Sequence, residues 1–390
     1  MMAAKITFFP VDNGDMTLLR LADTNATSLL IDCKIRSSAD DTEDSTPNVA
    51  KELRDRLKSD NNNRPYVDAM LLSHPDEDHC LGLEKHFWLG SLSDYPDDNK
   101  PQNEKRIVIR QMWSSPMVFR RASKYHPLCN DAKAFNNEAR RRIKVNKNNN
   151  FSVGNGDKIL IMGEDENGKT DDLTPILVKP GEEFIGINDQ ASGYLTSLLL
   201  APISKQDDEM EEKLSKNGSS VIINFKIKSS EFGSNISRFF AGGDAEVDIW
   251  ERISDEFQPA DTEYDLLLAP HHCSWRTLSR DSWSENGENA QVSKKARKAL
   301  EQARYGAFIV SSSKPIVDDD NDPPCIRAKR EYRSILGSAG IFKCTGEEPS
   351  KSKPAPLEFE TTGSGFKLAM ALSAAASATS CSPPRAGAWR

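Results

Sequence analysis

The stretch AMLLSHPDEDHCLGL, residues 69–83, joins a short apolar run directly to a cluster of polar side chains. Residues 69–72 have the composition of a buried β-strand. Four potential metal ligands follow within six positions: His74, Asp76, Asp78 and His79. Carboxylates crowded together repel one another, and a bound cation removes that cost. The stretch therefore predicts a metal-binding loop at the carboxyl end of a strand, where α/β proteins place their sites.

Two further apolar segments end in the same kinds of residue. FFAGGDAE, residues 239–246, places Asp244 after a predicted strand, and LLLAPHHCS, residues 266–274, places His271 and His272 after another. The chain has six histidines, and four of them fall in these clusters. Because carboxylate oxygens suit hard ions and imidazoles suit zinc, we expect one or two divalent ions, Zn²⁺ or Mn²⁺, with Mg²⁺ possible.

The N-terminal half predicts an α/β fold. KITFFPV (5–11) and TLLRLA (17–22) flank the turn DNGD and predict a β-hairpin. PNVAKELRDRLKSDN (47–61) predicts a helix, and the strand that carries the metal loop follows it. We predict one domain over residues 1–372, with a basic helical and loop insertion at 84–150 and a disordered, small-residue tail at 373–390.

Charge and composition narrow the setting of the protein. The net charge is −8, but residues 101–150 hold twelve Lys and Arg against three acids and so carry +9. A local basic segment can steer an anionic substrate even on an acidic protein, although a solvated helix face has the same composition. Seven scattered cysteines without a CxxC pair, no apparent signal peptide and no long apolar run predict a cytoplasmic protein of bacterial type without a membrane segment.

Taken together, the motifs resemble the metallo-β-lactamase superfamily. SHPDEDHCLGL is similar to its metal-binding loop, FFAGGDAE to its strand with a bridging aspartate, and LLLAPHHCS to its final histidine motif. VDNGDMTLL (11–19) and PLEFETTGSGFKLAM (356–370) resemble the opening and closing strands of the hydrolase domain of ComEC-type competence proteins. The resemblance covers most of residues 5–372, least well over 84–200, and implies an αββα sandwich.

The resemblance also implies a division of the ligands. His74 and Asp76 are expected to hold a first ion, and Asp78 and His79 a second. Asp244 is expected to bridge the two ions. One of His271 and His272 is expected to complete the second position, while the other contacts substrate or donates a proton; the sequence leaves open which is which.

The chain departs from the superfamily pattern at two places. Asp76 stands where the commonest form has histidine, and no histidine lies near KNGSSVIINF (216–225), where a third histidine motif is expected. Asn217 or Ser219 could only weakly replace that histidine or contact substrate. Asp15, beside the DNGD turn, is predicted to line the cleft.

These features predict a metal-dependent hydrolase that uses a metal-bound hydroxide, most consistent with a phosphodiesterase or nuclease acting on nucleic acid or nucleotides. Asp78, His271 and His272 are the predicted catalytic residues. Arg140, Arg141 and Arg142 are candidates for contacts to phosphate. Two alternatives stay open: a hydrolase of an ester, lactone or amide, and a non-catalytic regulatory protein with a degenerate metal site. A protein partner encoded in the same operon would suit the second alternative.

Overall fold

The computed structural model describes residues 3–41, 44–119, 127–202 and 216–369, so the predicted disordered tail lies outside the described residues. The described strands, in chain order, are β1 (Lys5–Phe8), β2 (Thr17–Arg20), β3 (Ser28–Ile31), β4 (Lys58–Ser59), β5 (Pro65–Leu71), β6 (Phe87–Trp88), β7 (Ile107–Ser114), β8 (Lys158–Met162), β9 (Leu177–Val178), β10 (Glu183–Ile185), β11 (Leu195–Ala201), β12 (Ile222–Lys228), β13 (Ile236–Ala241), β14 (Tyr264–Leu268), β15 (Ala303–Ser311), β16 (Ile341–Cys344), β17 (Leu357–Thr362) and β18 (Gly365–Leu368).

The described helices lie between these strands along the chain. In chain order they are α1 (Val49–Arg54), α2 (Glu77–Cys80), α3 (Leu83–His86), α4 (Pro116–Phe119), α5 (Asn130–Asn148), α6 (Val247–Glu256), α7 (Trp283–Asn286), α8 (Lys294–Leu300) and α9 (Ile326–Leu336). None of the helices in the described ranges is long and apolar enough to cross a membrane.

The strands form two sheets. The larger, eleven-stranded sheet has the order β18-β17-β1-β2-β3-β5-β7-β8-β9, with β4 beside β5 and β6 beside β7. The seven-stranded sheet has the order β10-β11-β12-β13-β14-β15-β16. β1 and β2 pair antiparallel with Phe8 opposite Thr17, which confirms the predicted hairpin. The prediction of a mixed α/β fold is likewise confirmed.

Aromatic side chains join the two sheets. The ring of Phe8, on β1, lies 5.9 Å from that of Phe239 on β13 of the smaller sheet. The ring of Phe308, on β15, lies 5.0 Å from that of Phe359 on β17 of the larger sheet. All four are buried in one apolar cluster. Burying such rings contributes on the order of 2 kcal/mol each, so the sheets are held face to face.

A second apolar cluster covers the other face of the smaller sheet. Along β15, Phe308 points into the cluster between the sheets, whereas its neighbours Ala307 and Ile309 belong to the second cluster. This alternation is what a strand buried on both faces requires. Trp250 from α6 and Tyr332 from α9 fill the second cluster, so these helices pack on that face.

The predicted basic insertion, residues 84–150, contributes directly to the larger sheet. It contains β7, which lies between β5 and β8 and pairs parallel with both. Helix α5 follows, and its Arg142 is 1% exposed. The Arg142 guanidinium bonds Glu138 and also donates to the backbone oxygens of Ile109 and Lys158 at 2.9 and 3.0 Å. One cation therefore ties α5 to β7 and to the start of β8.

Replacing Arg142 by alanine is expected to lower the free energy of unfolding by about 3 kcal/mol, because two buried carbonyls and a buried carboxylate lose a charged donor. Urea unfolding measures this change. Lys144→Ala, at an exposed position of the same helix, is the matched control and should change it by less than about 0.5 kcal/mol. Equal unfolding midpoints for the two variants would contradict the structural role of Arg142.

Candidate metal centre

The site is built where strands of both sheets end. In the larger sheet, β3 is followed by Asp32 and the parallel β5 by His74. In the smaller sheet, β13 is followed by Asp244, and the parallel β14 by His271 and His272. Because the carboxyl ends of parallel strands share one edge, each sheet delivers its polar residues to the same rim.

Asp244 is the centre of the arrangement and is 3% exposed. Its Oδ1 lies 3.1 Å from Nε2 of His79. Its Oδ2 lies 3.2 Å from Nε2 of His272, 3.6 Å from that of His74 and 3.7 Å from that of His271. One buried carboxylate therefore faces four imidazole nitrogens, drawn from both sheets.

The remaining loop carboxylates extend this group. Asp78 and His79 lie on the one-turn helix α2, and Oδ2 of Asp78 is 3.3 Å from Nε2 of His272. Asp76 precedes α2, and its Oδ2 is 3.9 Å from Nε2 of His74. The other six predicted metal ligands thus lie around Asp244: His74, Asp76, Asp78, His79, His271 and His272.

A second carboxylate, that of Asp32, fixes the orientation of the His79 ring. Nδ1 of His79 donates to Oδ2 of Asp32 at 2.8 Å, which leaves Nε2 facing Asp244. The same Asp32 oxygen accepts the Ser73 hydroxyl at 2.6 Å, and Oδ1 accepts the Ser73 N–H at 2.7 Å. A carboxylate that fixes the tautomer and tilt of a histidine is typical of metal sites. Sequence reasoning missed Asp32, although it directly follows an apolar strand, as the other clusters do.

Asp15, predicted to line the cleft, is buried in the same group. Its side chain is 2% exposed, with its oxygens 3.6 Å from Nδ1 of His272 and 3.9 Å from Nδ1 of His79. The ligand atoms of Asp15, His79, Asp244 and His272 all lie within 4.8 Å of one another, so this buried group could hold a metal ion. Oδ1 of Asp15 and Nε2 of His74 are buried and have no hydrogen-bond partner among the described residues, which also fits a cation.

The group is tightly coupled in charge. Burial and the neighbouring His79 lower the pKa of His74. Burial also opposes charge on His79 and His272. Nearby carboxylates outweigh burial, Asp244 and Asp32 at His79 and Asp244 and Asp15 at His272. They raise the pKa of both imidazoles well above the ordinary value. Burial would raise the pKa of Asp244, yet the four imidazoles lower it well below its usual range. Protons on His79 and His272 therefore balance the carboxylates until a cation displaces them.

The histidine pair sits on an unusual backbone. His271, His272 and Cys273 have φ values of 50°, 52° and 69°, a left-handed conformation that costs non-glycine residues of the order of 1 kcal/mol or more each. His271 N–H donates to the Gly243 oxygen at 3.0 Å, which anchors the turn next to Asp244. Consecutive left-handed residues turn the chain sharply and bring two adjacent imidazoles to one carboxylate.

Asn217 and Ser219 border the site without reaching its centre. Nδ2 of Asn217 donates to Oε1 of Glu246 at 3.0 Å, and Glu246 in turn lies 3.9 Å from Nδ1 of His271. Ser219 is buried, and the hydroxyl of the next residue, Ser220, accepts the Asp244 N–H at 3.2 Å. The polar turn thus supports Asp244 and the His271 edge.

The three arginines predicted to contact phosphate lie on α5. Arg142 is buried in the contacts described above. Arg141 bonds Glu138 at 2.7 Å and Asp157 at 2.6 Å, and Arg140 donates to the Phe119 oxygen at 3.0 Å. None of the three has a contact with Asp244 or with the histidines around it within the described residues. Their predicted contact with substrate stays a prediction.

The similarity of the chain to known proteins is slight. Neither a protein-family model nor a curated protein sequence matches the chain. Among solved structures, the chain is similar to one described as a new diphosphatase from the PhnP family, with 11% sequence identity and a TM-score of 0.33 over 92% of this chain and 99% of that one. Similarity this slight does not establish a family for the chain.

Divalent-cation affinity is expected to fall as pH falls from about 8 to 6, because binding must displace protons from His79 and His272, whose pKa values are raised in the cation-free protein. The fall should approach tenfold per pH unit for each proton displaced. Titration calorimetry with Zn²⁺ or Mn²⁺ in buffers of different ionisation enthalpy counts the protons released. Affinity independent of pH, with no proton release, would contradict the site.

Asp32→Asn is expected to weaken metal binding by about 10- to 100-fold, because an amide cannot hold His79 with the charge of a carboxylate. Asparagine tolerates the φ of 57° at this position, so the backbone is not newly strained. Metal content by ICP-MS after dialysis against a competing chelator measures the loss. The control is Asp55→Asn, an exposed carboxylate paired with Lys51; equal metal retention in both variants would argue against the role of Asp32.

Proposed function

We propose that this protein is a metal-dependent hydrolase, acting as a phosphodiesterase or nuclease on nucleic acid or nucleotides. The observation that carries the proposal is the convergence of four imidazoles on the buried carboxylate of Asp244, at distances of 3.1 to 3.7 Å. The proposed architecture is a metallo-β-lactamase-like αββα sandwich related to the hydrolase domain of ComEC-type proteins. Two facing sheets, with α6 and α9 packed on the smaller and α5 against β7 and β8 of the larger, support that architecture.

The proposed ligands divide into two groups that share Asp244. Asp78 and His79 form one group with His272, since Nε2 of His272 lies 3.2 Å from Nε2 of His79 and 3.3 Å from Asp78. His74 and His271 approach the same Asp244 oxygen, at 3.6 and 3.7 Å. Together with Asp76 they form the other group. His271 therefore supplies an imidazole to the position left short by the missing third histidine motif.

The nature of the ligands supports the chemistry. A divalent cation lowers the pKa of a bound water and offsets the charge of a phosphoryl group. Asp78 is the most exposed member of its group, with 35% of its side chain accessible, so it can orient a water or substrate at the opening. His271 is 13% exposed and faces Glu246, so it is accessible to substrate on the Glu246 side of the site. The buried carboxylates of Asp32 and Asp15, by contrast, orient the His79 and His272 rings.

A groove beside His271 offers room for a substrate. Its volume is about 430 Å³, and Glu246, Arg276 and Trp283 lie along it. Glu246 joins it to the site, because its Oε1 is 3.9 Å from Nδ1 of His271. A nucleobase on the leaving nucleoside, or another aromatic group of the substrate, could stack on the half-buried Trp283 ring.

Purified protein loaded with Mn²⁺ or Zn²⁺ is expected to hydrolyse bis(p-nitrophenyl) phosphate and labelled single- or double-stranded DNA. His74→Ala and Asp78→Ala are each expected to lower kcat/KM by more than about 100-fold, since each removes a ligand of the proposed centre. Lys144→Ala, distant on α5, is the control for handling and contaminating nucleases.

Equal cleavage by wild type and by the His74→Ala and Asp78→Ala variants would contradict the proposed phosphodiesterase function. Hydrolysis of esters or lactones without cleavage of any phosphodiester would favour the carboxylic-substrate alternative. A protein that retains metal but cleaves none of these substrates would point to a regulatory role.

A further inference from the structure

We propose that Lys34 and Lys314 form an anion-binding subsite at the Asp78 edge of the metal centre, which receives a second phosphate of the substrate. The inference rests on the proposed phosphodiesterase function and narrows its substrate to phosphodiesters with another phosphate next to the scissile one. Three loops form this subsite: residues 12–15 between β1 and β2, residues 32–36 after β3, and residues 312–314 after β15.

Asn13 fastens these three loops together. Its backbone oxygen accepts the Lys34 ammonium, and its Oδ1 accepts the Lys314 N–H at 3.1 Å. Its Nδ2 donates to the Pro323 oxygen at 2.9 Å. The hydroxyl of Ser312 donates to the Gly14 oxygen at 2.6 Å, so the first and third loops are joined twice. Asn13 thus holds the Lys34 ammonium and the Lys314 backbone, so both lysines have a fixed place in the chain at this edge.

The position of Gly14 places Lys34 directly beside the metal loop. A side chain at this position, where φ is 147°, would collide with the Lys34 side chain on one side and the Asp78 backbone oxygen on the other. In addition, Asp15 N–H donates to the Asp78 oxygen at 3.2 Å. The stem of Lys34 therefore runs past Asp78 with only a glycine between them.

The cations at this edge exceed their local partners. Arg36 pairs with Asp12, but neither Lys34 nor Lys314 has an ion pair with any residue in the described ranges. Lys314 and Arg36 both act on Lys34 with like-charge repulsion, and Asp78 and Asp12 only partly offset the cost of its burial. Repulsion among cations that lack a carboxylate partner costs free energy, and a bound anion would reduce that cost.

The opposite edge of the site, at the groove beside His271, is negatively charged. The groove beside His271 is lined by five carboxylates and two arginines, and Arg280 is already paired with Asp248 and Glu251. An additional phosphate is repelled there and attracted at Lys34 and Lys314. The substrate is therefore oriented, with its further phosphate toward Lys34 and its leaving group toward Trp283.

The test uses metal-loaded, full-length protein and a thymidine dinucleotide with and without an extra phosphate at its 5′ or 3′ end. Wild type is expected to prefer one phosphorylated form by about tenfold in kcat/KM, through a lower KM, as a charge-assisted contact implies. Lys34→Gln and Lys314→Gln should each lose most of this preference, and Lys34→Arg should retain it. Lys144→Gln is the matched control, and metal content and thermal melting verify that each variant is folded.

A second measurement separates this inference from the proposed function. Calorimetric titration of the Mn²⁺-loaded protein with inorganic pyrophosphate needs no turnover, and Lys34→Gln and Lys314→Gln should weaken binding by about tenfold. If the protein cleaves no phosphodiester but shows this loss, the subsite stands and the proposed function fails. If cleavage occurs while the lysine variants keep both the preference and the pyrophosphate affinity, or if wild type binds no pyrophosphate, the subsite is overturned.

Discussion

The carboxylate of Asp244, buried among four imidazoles, is the feature on which the rest of the site depends. A carboxylate at 3% exposure is costly unless its charge is balanced. Here the balance comes from His74 and His79 on one sheet and from His271 and His272 on the other. The site therefore requires the two sheets to meet at one edge, and it ties them together electrostatically where the aromatic core between them ends.

The two sheets can meet at this edge because their backbones approach each other closely there. Val221 N–H donates to the Ser73 oxygen at 2.9 Å, so the chain before β12 touches the loop after β5. Gly243 has a φ of 50°, and a side chain there would press against the side chains of Ser73 and Ser220 at 3.2 Å or less. Gly243 thus allows Asp244 to approach the metal loop. The sequence shows this glycine, but the reason for it appears only when the sheets are placed together.

Residues that directly follow apolar strands were predictable, because a local pattern marks both the strand and its end. His74, Asp78, Asp244 and the histidine pair were identified in this way, and the structure brings them together. Residues whose role depends on what packs behind them were not predictable. Asp32 also follows an apolar strand, but its role depends on His79, 47 positions away, whose ring it orients. Arg142, which looked like a surface cation, is buried because α5 lies against β7 and β8. Lys34 carries no motif and gains a role only from its distant neighbours Asn13 and Lys314.

The same arrangement determines the charge that a substrate encounters at the site. Five carboxylates surround the buried histidines His74, His79 and His272: Asp15, Asp32, Asp76, Asp78 and Asp244. Asp32 and Asp15 face the Nδ1 atoms, so they orient the rings and raise their basicity while remaining away from the opening. One divalent cation cannot neutralise such a group, and even two leave a carboxylate in excess unless imidazoles keep their protons. An anionic substrate therefore needs positive charge from outside the ligand group, and the lysines fastened by Asn13 supply it at the edge where Asp78 opens to solvent.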